Sequence, residues 1–267
     1  MTTSGRKQLT IGSVDLAYDD NGAGAPPLLL LHGYTGAASD FADVTPPLAA
    51  SRRVVAYDQR GHGDSTNTGD AATYTVSQLT DDLTGFVDAL DLAPIDLLGH
   101  SMGGIIVMRY VLAHPERVRS LVLMDTAAAP AGAMPKEIRD GLVQLAHDEG
   151  MPAVFAVIKE FLTNAGMAEV LIERMRRKFE RLDPEAFGAL AEGLETYVSL
   201  IERLPEIGCP TTVMVGELDA GLRASADVLA QSIEGAQLSV IEGAGHSPQE
   251  DRPDEWVAVV EAHLARL

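Results

Sequence analysis

The stretch that decides the fold is LLGHSMGGIIVMRY, residues 97–110. An apolar run ends at Gly99, a lone Ser101 follows, and a second apolar run begins just beyond Gly103. The pattern G-x-S-x-G, between a predicted strand and a predicted helix, is typical of a sharp turn that presents a nucleophilic serine. The hydroxyl then lies at a helix N-terminus, where free backbone N–H groups favour developing negative charge.

Short apolar runs recur on both sides of this stretch. Each is bounded by Gly, Pro or Asp, as expected for strands that are buried on both faces of a parallel sheet. The six runs are PPLLLLHG, RRVVAYDQRG, PIDLLGHS, RVRSLVLMDTA, PTTVMVGELD and AQLSVIEGAGH, and residues 7–20 precede them as an alternating pair of strands. Helical periods lie at 39–50, 76–91, 102–114, 222–233 and 253–266. This alternation predicts an α/β fold with a mostly parallel, doubly wound sheet and functional loops at the carboxyl ends of its strands.

One segment breaks the alternation. Residues 128–205 lie between the fourth and fifth apolar runs and carry helical periods, with Gly150 and Gly166 as breaks. We therefore predict a core of residues 1–127 and 206–267 and a helical cap of residues 128–205 that covers one end of the sheet.

Composition narrows the class of partner. The chain has 267 residues, 46% of them hydrophobic, and a net charge of −19, which argues against nucleic acid or an anionic membrane as a partner. The only cysteine is Cys209, the N-terminus MTTSGRKQLTIGS has no apolar signal, and no apolar run is long enough to span a bilayer. We therefore expect a cytoplasmic protein, monomeric or homodimeric, without a membrane partner.

Two further motifs follow the serine. Asp219 follows the fifth apolar run in GELD, and His246 follows the sixth in GAGHSP. A serine needs an adjacent base, a histidine titrates near neutrality, and a carboxylate orients that histidine. Asp125, at the end of the fourth run in VLMDTA, is the alternative acid because it also follows a strand.

Along the chain the candidate residues occur in the order serine, aspartate, histidine. The chain resembles the α/β-hydrolase fold superfamily, in its capped, serine-esterase-like branch. The motifs that carry the resemblance span nearly the whole chain: LLLHGYTG (29–36), DQRGHGDS (58–65), GHSMGG (99–104), VGELD (215–219) and GAGHSPQED (243–251). The resemblance implies Ser101 as nucleophile, His246 as general base and Asp219 as the orienting acid. It also implies the backbone N–H groups of Tyr34 and Met102 as oxyanion-hole donors.

The resemblance and the three candidate catalytic residues predict a hydrolase that cleaves carboxylic esters of small or medium size through an acyl-enzyme. A metal or organic cofactor is not expected, because no His, Cys or carboxylate set has the ligand spacing of a zinc site. The alternatives are a lactonase or a carbon–carbon bond hydrolase on the same triad, and a ligand-sensing protein on the same fold. A serine at position 101 argues against superfamily branches that use an aspartate nucleophile.

The predicted cap supplies candidate pocket residues. The apolar side chains of the cap are Met134, Met151, Phe155, Phe161, Met167 and Phe179. Of these, Phe155 and Phe161 are predicted to line the substrate pocket. The basic stretch ERMRRKFER, residues 173–181, is either a solvated helix face or an anion-binding surface for a substrate carboxylate. Three histidines near the motifs, His32, His62 and His100, are expected to be structural, with His100 directed away from the site.

Overall fold

The centre of the molecule is one eight-stranded sheet. The computed structural model describes residues 6–132, 135–164 and 166–267. The strands are β1 (Lys7–Ile11), β2 (Val14–Asn21), β3 (Leu28–Leu31), β4 (Val54–Tyr57), β5 (Ile95–His100), β6 (Val118–Met124), β7 (Thr211–Gly216) and β8 (Gln237–Ile241). Their spatial order is β1-β2-β4-β3-β5-β6-β7-β8. Strands β1 and β2 pair antiparallel, β2 also runs antiparallel to β4, and all other pairs are parallel. The predicted α/β fold is confirmed.

Helices cover both faces of this sheet. They are α1 (Thr45–Ala49), α2 (Val76–Ala89), α3 (Met102–Ala113), α4 (Lys136–Glu149), α5 (Met151–Asn164), α6 (Glu169–Phe179), α7 (Pro184–Thr196), α8 (Ala220–Ser232), α9 (Pro248–Asp251) and α10 (Pro253–Leu264). Helices α2, α3 and α8 contribute to the apolar core on one face, and α1 and α10 to the core on the other. Among the helices described, none has the length and apolar character needed to cross a membrane.

The first predicted helix, residues 39–50, is wrong as a single element. The structure has a 3-10 turn at Ala38–Phe41 and then the separate short helix α1. Two consecutive prolines, Pro46 and Pro47, stand in the first turn of α1. Proline has no N–H to donate, so it fits a first turn but not the interior of a longer helix.

Helices α4 to α7 form a helical insertion between β6 and β7. They share an apolar cluster of their own, in which the ring of Phe179 packs at a tilt against those of Phe155 and Phe187, with centroid distances of 5.7 and 6.4 Å. Hydrogen bonds tie this insertion to the core, including Tyr74 to Asp183 at 2.5 Å. The helices therefore pack as a unit that rests on the sheet domain.

Five neighbouring strands deliver their carboxyl ends to one edge. Strands β3, β5, β6, β7 and β8 are adjacent and parallel in that order. The loops that follow them carry Tyr34, Ser101, Asp125, Asp219 and His246, respectively. Because chain order and spatial order coincide here, the loops that follow adjacent strands are neighbours in the fold.

Candidate active site

Ser101 occupies a strained turn between β5 and α3. Its φ is 53° and its ψ is −117°, a region that non-glycine residues rarely adopt and that costs about 1–3 kcal/mol. Its N–H donates to the Met124 carbonyl at 2.9 Å, which fixes the turn against β6. Gly33 and Gly103 have no room for a side chain, because a Cβ would lie 2.9 Å from the Ser101 Cβ and 2.6 Å from the Leu31 carbonyl oxygen, respectively. The motif glycine at 103 is therefore required by the close approach of α3 to the end of β3.

The structure brings the serine, the histidine and one aspartate together. His246 Nε2 lies 3.1 Å from Ser101 Oγ, and His246 Nδ1 lies 2.6 Å from Asp219 Oδ2. The histidine side chain is 49% exposed and the Asp219 side chain is 12% exposed. Burial alone would raise the pKa of Asp219, but hydrogen bonds from His246 and Asp125 outweigh it and the net shift is downward. The arrangement allows proton transfer from the serine hydroxyl to an imidazole that a carboxylate orients.

His100 has a role that the sequence did not reveal. Its Nε2 lies 2.7 Å from the His246 backbone oxygen, and the two rings are 5.0 Å apart. Burial lowers the pKa of His100 to about 3, so its ring is neutral at neutral pH and its Nε2–H donates to that carbonyl. His100 is not among the residues that line the cavity, but its ring lies against His246 and supports the loop that carries it.

Tyr34 and Met102 line the same cavity as Ser101. The N–H groups of Tyr34 and Met102 donate to no other group within the described part of the chain. Met102 is the first residue of α3, where an N–H has no partner inside the helix. The Tyr34 phenol, by contrast, is engaged with the insertion: it donates to the Phe187 carbonyl at 2.7 Å, and the two rings stack at 5.6 Å. Tyr34 is therefore available through its amide and not through its hydroxyl.

Asp125 lies beside the trio but bonds differently. Its Oδ1 accepts the Gly216 N–H at 2.9 Å, and no bond to His246 is formed. Burial raises the pKa of Asp125 to about 9, against the lowering effect of the Gly216 bond and with a further increase from the Asp219 charge. The aspartate that holds His246 in this structure is thus Asp219.

The cavity above the serine has a volume of about 500 Å³. Its lining is largely apolar and contains side chains from both the core and α7: Met102, Ile105, Ala127, Leu194, Tyr197 and Leu222. Three carboxyl groups also line it, those of Asp125, Asp219 and Glu195, and none of the described lining residues is a lysine or an arginine. A cavity of this size and composition suits a small or medium uncharged molecule.

The two predicted pocket residues lie elsewhere, which corrects that prediction. Phe155 is buried in the apolar cluster of the insertion, and Phe161 is 73% exposed at the surface. Neither lines the cavity. The two positions are six residues apart on α5, about 240° around the helix, so they face different directions. Met134, another predicted apolar cap residue, lies outside the described residues.

The basic stretch at 173–181 does not reach the cavity either. Its cations pair with carboxylates of the core: Arg174 with Asp43 at 2.5 Å, Lys178 with Asp40 at 2.7 Å, and Arg181 with Asp64. Arg176 and Arg177 pair with Glu173 on the same helix. The stretch joins α6 to the core, and the interpretation as a substrate-carboxylate site is wrong for this arrangement.

His32 and a group of three side chains near Ser101 remain to be described. His32 accepts the Gln59 N–H at 3.0 Å and donates to the Gly33 carbonyl at 2.8 Å, and burial lowers its pKa. In the described chain, the one group of three side chains within metal-binding reach of each other is Asp125, Asp219 and His246. Within this group, His246 Nδ1 and Asp219 Oδ2 are joined by a hydrogen bond of 2.6 Å.

Comparison with known proteins identifies the family of the chain. A family model described as the alpha/beta hydrolase family matches residues 28–259, so the chain belongs to the α/β-hydrolase family. It is 32% identical to the 2-hydroxymuconate semialdehyde hydrolase of Pseudomonas sp. strain CF600, over 92% of this chain and 89% of that protein. The structure of the enol-lactonase from Burkholderia xenovorans LB400 is similar with a TM-score of 0.84 and 26% identity, covering 97% of this chain and all of that one. A thermophilic esterase from Thermogutta terrifontis is similar with a TM-score of 0.84 and 28% identity, covering 98% and 99%.

Proposed function

We propose that this protein is a serine hydrolase that cleaves carboxylic esters of small or medium size through an acyl-enzyme. The observation that carries the proposal is the hydrogen-bonded series from Ser101 Oγ to His246 Nε2, at 3.1 Å, and from His246 Nδ1 to Asp219 Oδ2, at 2.6 Å. It opens onto a cavity of about 500 Å³. A ligand-sensing protein would need the cavity but not this series.

The reaction follows from the positions of these groups. His246 takes the Ser101 proton as the serine oxygen attacks the ester carbonyl carbon, and the Tyr34 and Met102 amides hold the resulting oxyanion. His246 then gives the proton to the departing alcohol as the carbon–oxygen bond breaks. Water, activated by the same imidazole, releases the acid and restores Ser101.

The helical insertion acts as a cap in this proposal. Leu194, Glu195 and Tyr197 of the insertion line the cavity opposite Ser101. The Tyr197 hydroxyl donates to the Ala127 carbonyl at 3.0 Å, and the Tyr34 hydroxyl donates to the Phe187 carbonyl, so two hydrogen bonds from cavity-lining residues join the cap to the core. Its side chains supply substrate binding, while the nucleophile comes from the core.

Among the alternatives, a lactone is the nearest, because it is an internal ester and needs the same steps. A carbon–carbon hydrolase is less well supported. Relatives of that type carry names such as 2-hydroxy-6-oxononadienedioate hydrolase, and a dioate is a dianion. The described cavity lining offers no cation, and Arg139, whose charge acts on the Tyr34 hydroxyl, pairs with Asp140 at 3.2 Å. Uncharged esters fit this lining better.

The nucleophile can be tested directly. A serine-directed fluorophosphonate is expected to add one equivalent of mass on Ser101, and Ser101→Ala is expected to lower kcat by about 10⁶-fold while the circular dichroism spectrum stays unchanged. A short p-nitrophenyl ester distinguishes the classes, since an enzyme releases product continuously and a sensor releases at most one equivalent. An active alanine variant, or labelling at another residue, would contradict the proposal.

Substrate charge is the second test. Ethyl butyrate is expected to be hydrolysed with a higher kcat/KM than the anionic half-ester monoethyl succinate. Glu195→Gln is expected to raise kcat/KM for the half-ester several-fold, because it removes one like charge from the cavity lining. Glu192→Gln, on the exposed side of the same helix, is the matched control. Faster turnover of the half-ester, lost in Arg139→Ala, would show that the cavity recruits a cation and favours anionic substrates.

A further inference from the structure

Two carboxyl groups lie against each other behind the candidate catalytic histidine. Asp125 and Asp219 follow the neighbouring strands β6 and β7, and oxygen atoms of both lie within 4.8 Å of each other and of a His246 ring nitrogen. Asp125 is 1% exposed. Its Oδ1 accepts the Gly216 N–H at 2.9 Å, whereas its Oδ2 is buried without a donor among the described residues. The group that Oδ2 can bond is the other carboxyl.

We propose that the Asp125 carboxyl is protonated at neutral pH and donates its O–H to the Asp219 carboxylate. Asp125 is then a positioning residue: it fixes the rotation of Asp219 so that Asp219 Oδ2 faces His246. The inference rests on the proposed function, because it assigns Asp125 a role in a triad whose acid is Asp219.

The placement of the proton follows from the bonding partners. Two ionised carboxylates in contact repel each other strongly, so a single proton is shared by such a pair. Asp219 has the imidazole N–H of His246 as a donor and is the better place for the charge. Asp125 is more deeply buried and already uses Oδ1 as an acceptor, so the proton belongs on its Oδ2. The upward shift of the Asp125 pKa, caused first by burial, agrees with this placement.

The other titratable groups near this pair do not supply a competing donor. Asp251 of α9 acts on Asp125 as a negative charge. The titratable side chains that share the cavity with the pair are Tyr34, Glu195, Tyr197 and His246. The hydroxyls of Tyr34 and Tyr197 are engaged with the carbonyls of Phe187 and Ala127, and His246 bonds Asp219.

The backbone at Asp125 guides the choice of variants. Its φ is 42°, in the left-handed region that asparagine and glycine tolerate best among natural residues. Asparagine also reproduces the protonated acid, with its carbonyl oxygen for the Gly216 N–H and its amide N–H for Asp219. Glycine fits the same backbone and removes the donor.

The experiment compares Asp125→Asn and Asp125→Gly with the wild type in hydrolysis of ethyl butyrate on a pH-stat. We expect Asp125→Asn to keep kcat within about threefold, and Asp125→Gly to lose about 10- to 100-fold, the contribution of a hydrogen bond to a charged group. We also expect wild-type kcat/KM to fall as pH rises through about 9, where Asp125 ionises, and this fall to be absent in Asp125→Asn. If Asp125→Gly does not fold, the pH profiles of the wild type and Asp125→Asn are sufficient to test the proposal.

Two results would overturn the inference. An asparagine variant as impaired as the glycine variant would show that the donor is not what matters, and an unchanged alkaline fall in Asp125→Asn would show that another group titrates there. Failure of the proposed function gives a different result, since the wild type would then release at most one equivalent of product, or Ser101→Ala would remain active.

Discussion

Replacing Asp125 with asparagine is expected to stabilise the protein, and by more as pH rises. The pKa of this carboxyl is raised from 3.8 to about 9 by the fold, first through burial. Between these values the unfolded chain has released the proton and the folded chain still holds it. Folding must therefore take up one proton, so the stability of the wild type falls with increasing pH across this range. Asparagine has no such proton and removes that slope.

The size of the effect follows from the single proton. One proton of difference between the two states changes the free energy of unfolding by about 1.4 kcal/mol per pH unit. From about pH 5.5 to about pH 7.5, the advantage of Asp125→Asn over the wild type therefore grows by about 2.7 kcal/mol. In a chain of 267 residues, each kcal/mol corresponds to about 2–4 °C in Tm. The value depends little on the folded-state pKa, provided that it lies above the range measured.

Urea unfolding followed by tryptophan fluorescence measures this growth, because the single Trp256 is fully buried. Asp81→Asn is the control, since it removes a carboxylate from the exposed side of α2 without touching the site. The reasoning is refuted if the stability difference between Asp125→Asn and wild type stays constant between the two pH values. A difference that shrinks as pH rises would mean that Asp125 is ionised in the folded protein.

Three further outcomes are expected. Asp219→Asn should lose on the order of 10⁴ in kcat at neutral pH, because a neutral partner no longer orients and stabilises the imidazolium of His246; if Asp125→Asn suffers that loss instead, the triad acid is on β6. Dialysis against EDTA should leave ester hydrolysis unchanged, and a loss that added metal restores would contradict the proposed mechanism. Phe155→Ala should lower stability by about 3–5 kcal/mol and Phe161→Ala by less than about 0.5, both without changing the order of preference among ester chain lengths. A shift in that order for the Phe161 variant would place this ring in the pocket.

Local patterns in the sequence were enough to predict the sheet and the central residues of the site. Buried strands give short apolar runs, and the loop after each parallel strand reaches the same edge, so Ser101, Asp219 and His246 were expected to meet. The strained turn at Ser101 also has a local signature in its flanking glycines. These features depend on residues close together in the chain or on the general geometry of parallel sheets.

What the sequence did not reveal depends on how separate segments pack. The orientation of Phe155 and Phe161 is set by contacts among the helices of the insertion, and a helical period in the sequence does not show which helices will be in contact. The basic stretch finds its partners in Asp40, Asp43 and Asp64, more than a hundred positions away. The sequence shows that basic side chains are present at 173–181, but the tertiary structure determines which carboxylates they pair with.

The choice between Asp125 and Asp219 shows how the two kinds of information combine. Both residues follow strands that are neighbours in the sheet, and for that reason the sequence left both as candidates for the acid. Because these strands are neighbours, the two carboxyl groups lie within 4.8 Å of each other. Repulsion between two buried carboxylates at this distance disfavours ionisation of both. The structure separates them by their donors: the His246 ring for Asp219, and a backbone N–H for Asp125. Asp125 does not bond His246, but in the proposed arrangement its proton positions the Asp219 carboxylate that does.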